Sequence, residues 1–207
     1  TYFVVTAAYY GIAILIIIMC LYRKSRNLED YITNKHFYYI AFGLVLLTMA
    51  YGYFTFSEYI TDWYNQTSQM SALLGKFTDM SQYGALQLFH VLFTMFVPLI
   101  IIGLPWFRSI NSITIVSLFI VIALWVKRYL IVVPPLETPF IPIQDIRPEY
   151  VQYSMSWVEI TLTVSGLALI VLIFTIASKI APIIPVAEVE DVEDTAKPII
   201  RFQTKGA

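Results

Sequence analysis

Residues Tyr2 to Tyr22 read YFVVTAAYYGIAILIIIMCLY, and no side chain in that run is charged. Its length is that of an α-helix crossing a bilayer, which needs about 20 predominantly apolar residues. Four further stretches satisfy the same rule, at roughly 37–62, 84–104, 110–133 and 157–180. With Tyr2–Tyr22 they are designated spans A to E. The runs are too long for strands and show no alternation of apolar and polar residues. Of the 207 residues, 58% are hydrophobic and 13% charged, with a mean hydropathy of +0.72. A soluble domain carries about 25% charged residues, and a globule of this size cannot hide so much apolar surface. The expected fold is an all-α integral membrane protein of about five transmembrane helices, four of them (B to E) in an antiparallel bundle. Span A is expected to be the tail of something larger, because Thr1 is not an initiator Met and no positive leader region precedes the apolar run.

Prolines punctuate the chain. Pro105, Pro134-Pro135 and Pro182 are expected to end spans C, D and E, since proline lacks the N–H that continues a helix. Pro98 lies inside span C and is expected to kink it. Lysines and arginines set the orientation. Arg23, Lys24, Arg26 and Lys35 lie between A and B, Arg108 between C and D, and Lys179, Lys197, Arg201 and Lys205 after E. That bias places these segments in the cytoplasm, and the N-terminus, the B–C loop (Lys76) and the D–E loop (Arg147) outside. Residues 1–185 form the membrane region. Residues 186–207, with Glu188, Glu190, Asp191, Glu193 and Asp194, form an acidic, solvated cytoplasmic tail. A net charge of −1 offers no field for nucleic acid. The lone Cys20 forms neither an intrachain disulfide nor a cysteine-cluster metal site, so it reads as apolar filler.

Polar groups at membrane depth are costly and are therefore candidates for function. Span B carries Thr48, Tyr51, Thr55, Glu58 and Asp62 at spacings of three and four, one face of a helix. The stripe reads either as a proton path or headgroup site, or as interhelical hydrogen bonding with the two acids solvated at the interface. Span C repeats the pattern with Gln87, His90 and Thr94. His90 lies roughly 9 Å below the outer end at 1.5 Å per residue. It is a proton-transfer group or ligand donor on one reading and a packed, hydrogen-bonded histidine on the other. A transmembrane haem needs two facing axial ligands, and the other histidine, His36, is at the opposite end, so no haem or metal is expected within this chain. At the end of span D, Lys127 and Arg128 point to different faces, so one can turn inward while the other snorkels. Glu159 opens span E at the same level, within reach of an ion pair with Arg128. All six ionisable groups thus fall in the outer third of the membrane.

Three segments bear a family resemblance. WVKRYLIVVPPLETPFIP (Trp125–Pro142) and YFTFSEYITDWY (Tyr53–Tyr64) resemble motifs in the C-terminal part of the NrfD/PsrC family, the quinone-reacting membrane subunits of respiratory oxidoreductases. WVEI (Trp157–Ile160) with its glycine-bearing helix is similar to their last conserved helix. The match covers residues ~30 to 185 and is nearest to alternative complex III or hydrogenase-2/Qrc-type members. The resemblance implies a bacterial inner-membrane subunit without a redox cofactor of its own. Such a subunit exchanges electrons between menaquinol or quinone and an extracytoplasmic iron–sulfur subunit, beside other membrane subunits, with proton translocation left open. Carried over by motif position, Glu58 and Asp62 become catalytic candidates and Tyr59, Lys127, Arg128 and Glu159 quinone-binding ones. His90 joins the catalytic set on its depth and stripe alone. Relatives have eight to ten helices and build the pocket largely from an N-terminal bundle, a departure from the five spans here. Two other classes compete: an ion-translocating transporter module, which tends to hold its site at the midplane on broken helices, and a passive membrane anchor, for which replacing Glu58 or Arg128 alters assembly but not turnover.

Overall fold

The computed structural model describes residues 1–25, 32–65, 67–104, 106, 109–138, 153 and 155–180. Arg26, Arg108 and Arg147, the prolines Pro105 and Pro182, the end of the Trp125–Pro142 motif and the acidic tail lie outside them. Every regular element among the described residues is helical: α1 (Tyr2–Ser25), α2 (Asn34–Asn65), α3 (Ser68–Thr78), α4 (Gly84–Val91), a π-helical turn (Leu92–Phe96), α5 (Val97–Gly103), α6 (Ile110–Leu136) and α7 (Trp157–Ile180). Five stretches among them are long and apolar enough to cross a membrane: α1, α2, the composite Gly84–Gly103, α6 and α7. The chain is a multi-pass membrane protein, and lipid contact accounts for its large exposed apolar surface.

The chain divides into two compact units, Thr1–Tyr153 and Ser154–Ala207. In the first, α1, α2, the α4–α5 span and α6 form an up-down-up-down bundle. The N-terminal turns of α1 meet the C-terminal half of α2 through Tyr2 and Tyr51, whose ring centres are 5.6 Å apart. The α2 and α4 chains run antiparallel, as the Tyr51–His90 and Tyr59–Gln87 hydrogen bonds show. The π turn after α4 packs on α6, with Phe93 stacked on Phe119 at 4.7 Å. Helix α1 is therefore an inner member of the bundle and not an outlying tail: Tyr9, Ala13 and Ile16 are fully buried. That corrects the expectation that set span A apart. An apolar run without charges gives no sign of which side meets protein. Here α1 fills the groove between α2 and α6 through small or flat side chains.

Two proline expectations are also refined. Helix α6 runs through Pro134 and Pro135 to Leu136. Both prolines sit in the last turn, where they supply carbonyls although they cannot donate. Glu137 N bonds Val133 O at 3.1 Å, Thr138 N bonds Pro135 O at 3.1 Å, and Thr138 Oγ1 donates to Pro134 O at 3.0 Å. Pro98 stands just after the π turn, so its disturbance is absorbed as a widened turn. A regular α-helix would bond an N–H at 98 to the carbonyl of Thr94. Proline has none, and the Tyr9 hydroxyl of α1 donates to that carbonyl at 2.9 Å.

Local signals fix the other ends. Ser109 caps α6, its Oγ accepting from Ser112 N at 3.1 Å. Asp79 folds the turn before α4 by accepting from Ser81 N at 3.0 Å and Ser81 Oγ at 2.8 Å. These bonds hold the Asp79 carboxyl below the usual carboxylate range. Gly84 follows because a Cβ there would lie 2.7 Å from the Asp79 carbonyl oxygen. Helix α3, between the second and third spans, was not expected. Met70, Leu73, Leu74 and Phe77 are partly buried along one of its faces, and Lys76 pairs with Glu137 at 3.6 Å, joining α3 to the end of α6.

In the second unit, α7 opens on a reciprocal cap. Ser156 N donates to Glu159 Oε2 at 3.1 Å, and Glu159 N lies 3.4 Å from Ser156 Oγ, a capping box. None of its residues is buried.

Candidate functional site

The polar stripe of α2 turns inward over its first three members: Thr48, Tyr51 and Thr55 are 1%, 0% and 2% exposed. The stripe of α4 meets it. His90 is fully buried, and its Nε2 lies 2.7 Å from Tyr51 Oη. Whichever atom carries that hydrogen, His90 Nδ1 is left without a partner among the described residues. If Tyr51 donates, Nδ1 holds an unused proton; if Nε2 donates, Nδ1 is an unused acceptor. Helix α1 closes the chain of hydroxyls. Tyr2 Oη is 3.2 Å from Thr55 Oγ1, and Thr48 Oγ1 lies 3.1 Å from Tyr9 Oη and 2.8 Å from Leu44 O.

One turn further along α2, four side chains from three helices converge. Lys127 of α6 turns inward and is 5% exposed. Its Nζ donates to Tyr59 Oη at 3.1 Å and lies 3.5 Å from Glu58 Oε2. The ammonium also sits 4.9 Å from the Tyr59 ring centre. Gln87 Nε2 donates to the same Tyr59 oxygen at 2.7 Å, while Gln87 Oε1 is buried with no partner among the described residues. A buried ammonium is tolerated only with such a set of acceptors. The Glu58 side chain is 40% exposed, so the cluster reaches from the bundle interior to the surface.

The sequence candidates separate as follows. Glu58, Tyr59 and Lys127 form one cluster, and His90 lies one layer inside it with Tyr51. Arg128 is exposed, its guanidinium 5.8 Å from the Phe3 ring centre, so of the two adjacent cations it is the lysine that enters the bundle. Asp62 is partly exposed, and its carboxylate bonds to no other described residue. Glu159 belongs to the second unit, where it caps α7. Sequence reading passed over Tyr2 and Tyr9: tyrosines in an apolar run look like membrane-facing aromatics until a partner helix is known. Among the described residues no three His, Cys, Asp or Glu side chains converge as a metal site.

A half-enclosed cavity of about 230 Å³ opens between α1 and α6 beside this cluster. Leu124, Ile131, Val132 and Phe3 supply apolar walls, Tyr2 and Thr6 hydroxyls, and Lys127 and Arg128 two cations. The arrangement can hold a flat, largely apolar ring with polar atoms directed at Lys127. A proton can pass from such a ring toward Glu58 through groups in hydrogen-bond reach of one another. Neither a protein-family model nor a curated protein matches this sequence.

Proposed function

We propose that the chain is a membrane subunit of a respiratory quinol–quinone oxidoreductase. On this reading it handles the quinone head at the α1–α6 cavity and exchanges electrons with an extracytoplasmic iron–sulfur partner. The observation that carries the reading is the pairing of an apolar, ring-sized cavity with a buried lysine that leads to a surface carboxylate. Ligand pockets for drug-sized molecules run to about 300–1,000 Å³. A cavity of about 230 Å³ suits a ring whose isoprenoid tail stays in lipid.

A quinol releases its protons as its electrons leave. Lys127 orients the quinol oxygen and stabilises the anion formed by the first proton loss. Glu58, half open to the surface and 3.5 Å from the Lys127 ammonium, takes a proton from Lys127, which recovers one from the quinol, and passes it to water. The electrons leave to the clusters of the partner, which docks on the face carrying α3 and the end of α6. This end is the outer one on the lysine and arginine bias, in a bacterial cytoplasmic membrane. The resemblance of Tyr53–Tyr64 and Trp125–Pro142 to the NrfD/PsrC family supports the same assignment.

The test is quinol-dependent reduction of a cytochrome or dye by the assembled complex, with complex content held constant by cluster absorbance. Glu58→Gln and Lys127→Gln should each slow turnover per assembled complex at least about tenfold, within the range of general acid–base groups. Turnover near wild type in both variants would leave the chain a supporting bundle beside a site located elsewhere. A change in assembly without a change in turnover per complex would mark a passive anchor.

A further inference from the structure

A second cavity, of about 400 Å³, lies at the opposite end of the bundle, between the last turn of α1 and the first turns of α2 and α6. Its polar lining among the described residues is Arg23, Lys24, Asn34, Tyr38, Ser109 and Asn111, none of which carries a carboxylate. Arg23 is fixed in place. Its Nη1 donates to Asn34 Oδ1 at 3.2 Å, and its guanidinium stands 5.8 Å from the ring centre of Phe37. Lys24 is exposed and pairs with no described carboxylate.

Such a set asks for one kind of ligand. Two cations need negative charge. A held guanidinium fork suits an oxygen-rich acceptor, and the amides and hydroxyls beside it supply donors to further oxygens. The first turn of α6 adds N–H groups that have no partner within the helix. A tetrahedral phosphate presents that many acceptor oxygens; a chloride or a lone carboxylate does not. The position adds the last element. The cavity lies where three spans end, at the level of lipid head groups, and Tyr38, of amphipathic type, stands at its edge.

We propose that this cavity binds a phosphate group, presented by the head group of an anionic phospholipid. The site is independent of the quinone reading, since it uses none of the residues at the Lys127 end. A soluble phosphate compound offers the same chemistry, and the experiment separates the two sources.

The whole protein, purified in mild detergent, is titrated with fluorescent phosphatidylglycerol and with phosphatidylcholine of the same chains. Inorganic phosphate is the competitor. Phosphatidylglycerol should bind at least about tenfold more tightly, and Arg23→Gln should remove that preference, as expected for a charge-assisted bond. Arg23 also packs on Phe37, so Lys24→Gln and Asn111→Asp serve as variants at exposed positions. The first should weaken the preference severalfold, and the second, by setting a negative charge in the cavity, should abolish it. Lipid binding unaffected by inorganic phosphate assigns the site to the head group. Displacement at equal concentration assigns it to free phosphate, which upholds the anion site and overturns its lipid source. Equal binding of the two lipids, or a preference unchanged in Lys24→Gln and Asn111→Asp, overturns the proposal.

Discussion

Replacing Tyr9 with Phe removes a single oxygen from the middle of the bundle. That oxygen is the donor to the Thr94 carbonyl at 2.9 Å. Its other neighbour, the Thr48 hydroxyl, keeps the Leu44 carbonyl at 2.8 Å and loses nothing essential. The cost therefore falls on one buried carbonyl whose regular helical donor is missing, because residue 98 is proline. Interhelical hydrogen bonds in membranes average only about 0.6 kcal/mol, since partners are usually found elsewhere when one is removed. An unsatisfied buried polar group costs about 1–3 kcal/mol. Tyr9→Phe should sit in that higher range, at about 1.5–2 kcal/mol, because the relief that lowers the membrane average is absent. The assay is equilibrium unfolding in mixed micelles for a double-mutant cycle with Pro98→Ala. An alanine N–H at 98 can return to the Thr94 carbonyl, so in that background Tyr9→Phe should cost less than about 0.5 kcal/mol. A cost below about 0.5 kcal/mol in the wild-type background would refute the reasoning, as would equal costs in the two backgrounds.

Gly84→Ala sets a methyl 2.7 Å from the carbonyl oxygen and 2.8 Å from the carbonyl carbon of Asp79. Backbone cannot swing aside as a side chain can, so the variant should lose about 1–3 kcal/mol, read as a lower unfolding midpoint; an unchanged midpoint would show that the turn relaxes freely. The depressed Asp79 carboxyl implies that its turn is favoured by pH. The contribution is complete above the unfolded value of about 3.9 and is lost as pH falls through the lower folded value. A carboxyl-carbon NMR titration should find Asp79 below that reference and Ser81→Ala should raise it; a wild-type titration at the reference value would contradict the bonding described. Ser156→Ala should weaken the start of α7 by about 1 kcal/mol, seen as faster amide exchange in its first turn, and exchange as slow as wild type would rule the capping box out.

Spans were legible because a bilayer imposes a length and a composition that stand out in any window. All five helices lie within about three residues of the expected limits. Helix α3 escaped notice because eleven residues cannot cross a membrane, although Met70, Leu73, Leu74 and Phe77 carry the helical spacing. The α2 and α4 stripes were legible as faces, and the cost of exposing Thr48, Tyr51 and His90 to lipid fixed which way they turned. Their partners were not. Period and polarity say that a side chain faces protein, yet not which helix lies there, so the link from Tyr9 to Thr94 had no signal in the chain. The choice between Lys127 and Arg128 was open for a similar reason: adjacent residues differ by about 100° around a helix, and only the position of α2 decides which is inward. Pro134-Pro135 end the helix one residue beyond the pair, at Leu136: neither proline donates within α6, but their carbonyls accept from Thr138 and close its end.

The π turn at Leu92–Phe96 gives the third span a property that no single side chain in it has. A π turn holds an additional residue, so the faces before and after it are out of step by about 100° compared with a continuous α-helix. Gln87 and His90 on one side, and Pro98 and Ile102 on the other, are thus aimed separately, as two rods joined by an offset coupling. Removing any one residue from 92 to 96 would restore a regular helix and leave every side chain of the cluster in place in the sequence. It would also oblige either His90 to leave Tyr51 or Ile102 to leave the core. The alignment of this site is held in a residue count, and a substitution scan, which never alters that count, would pass over it.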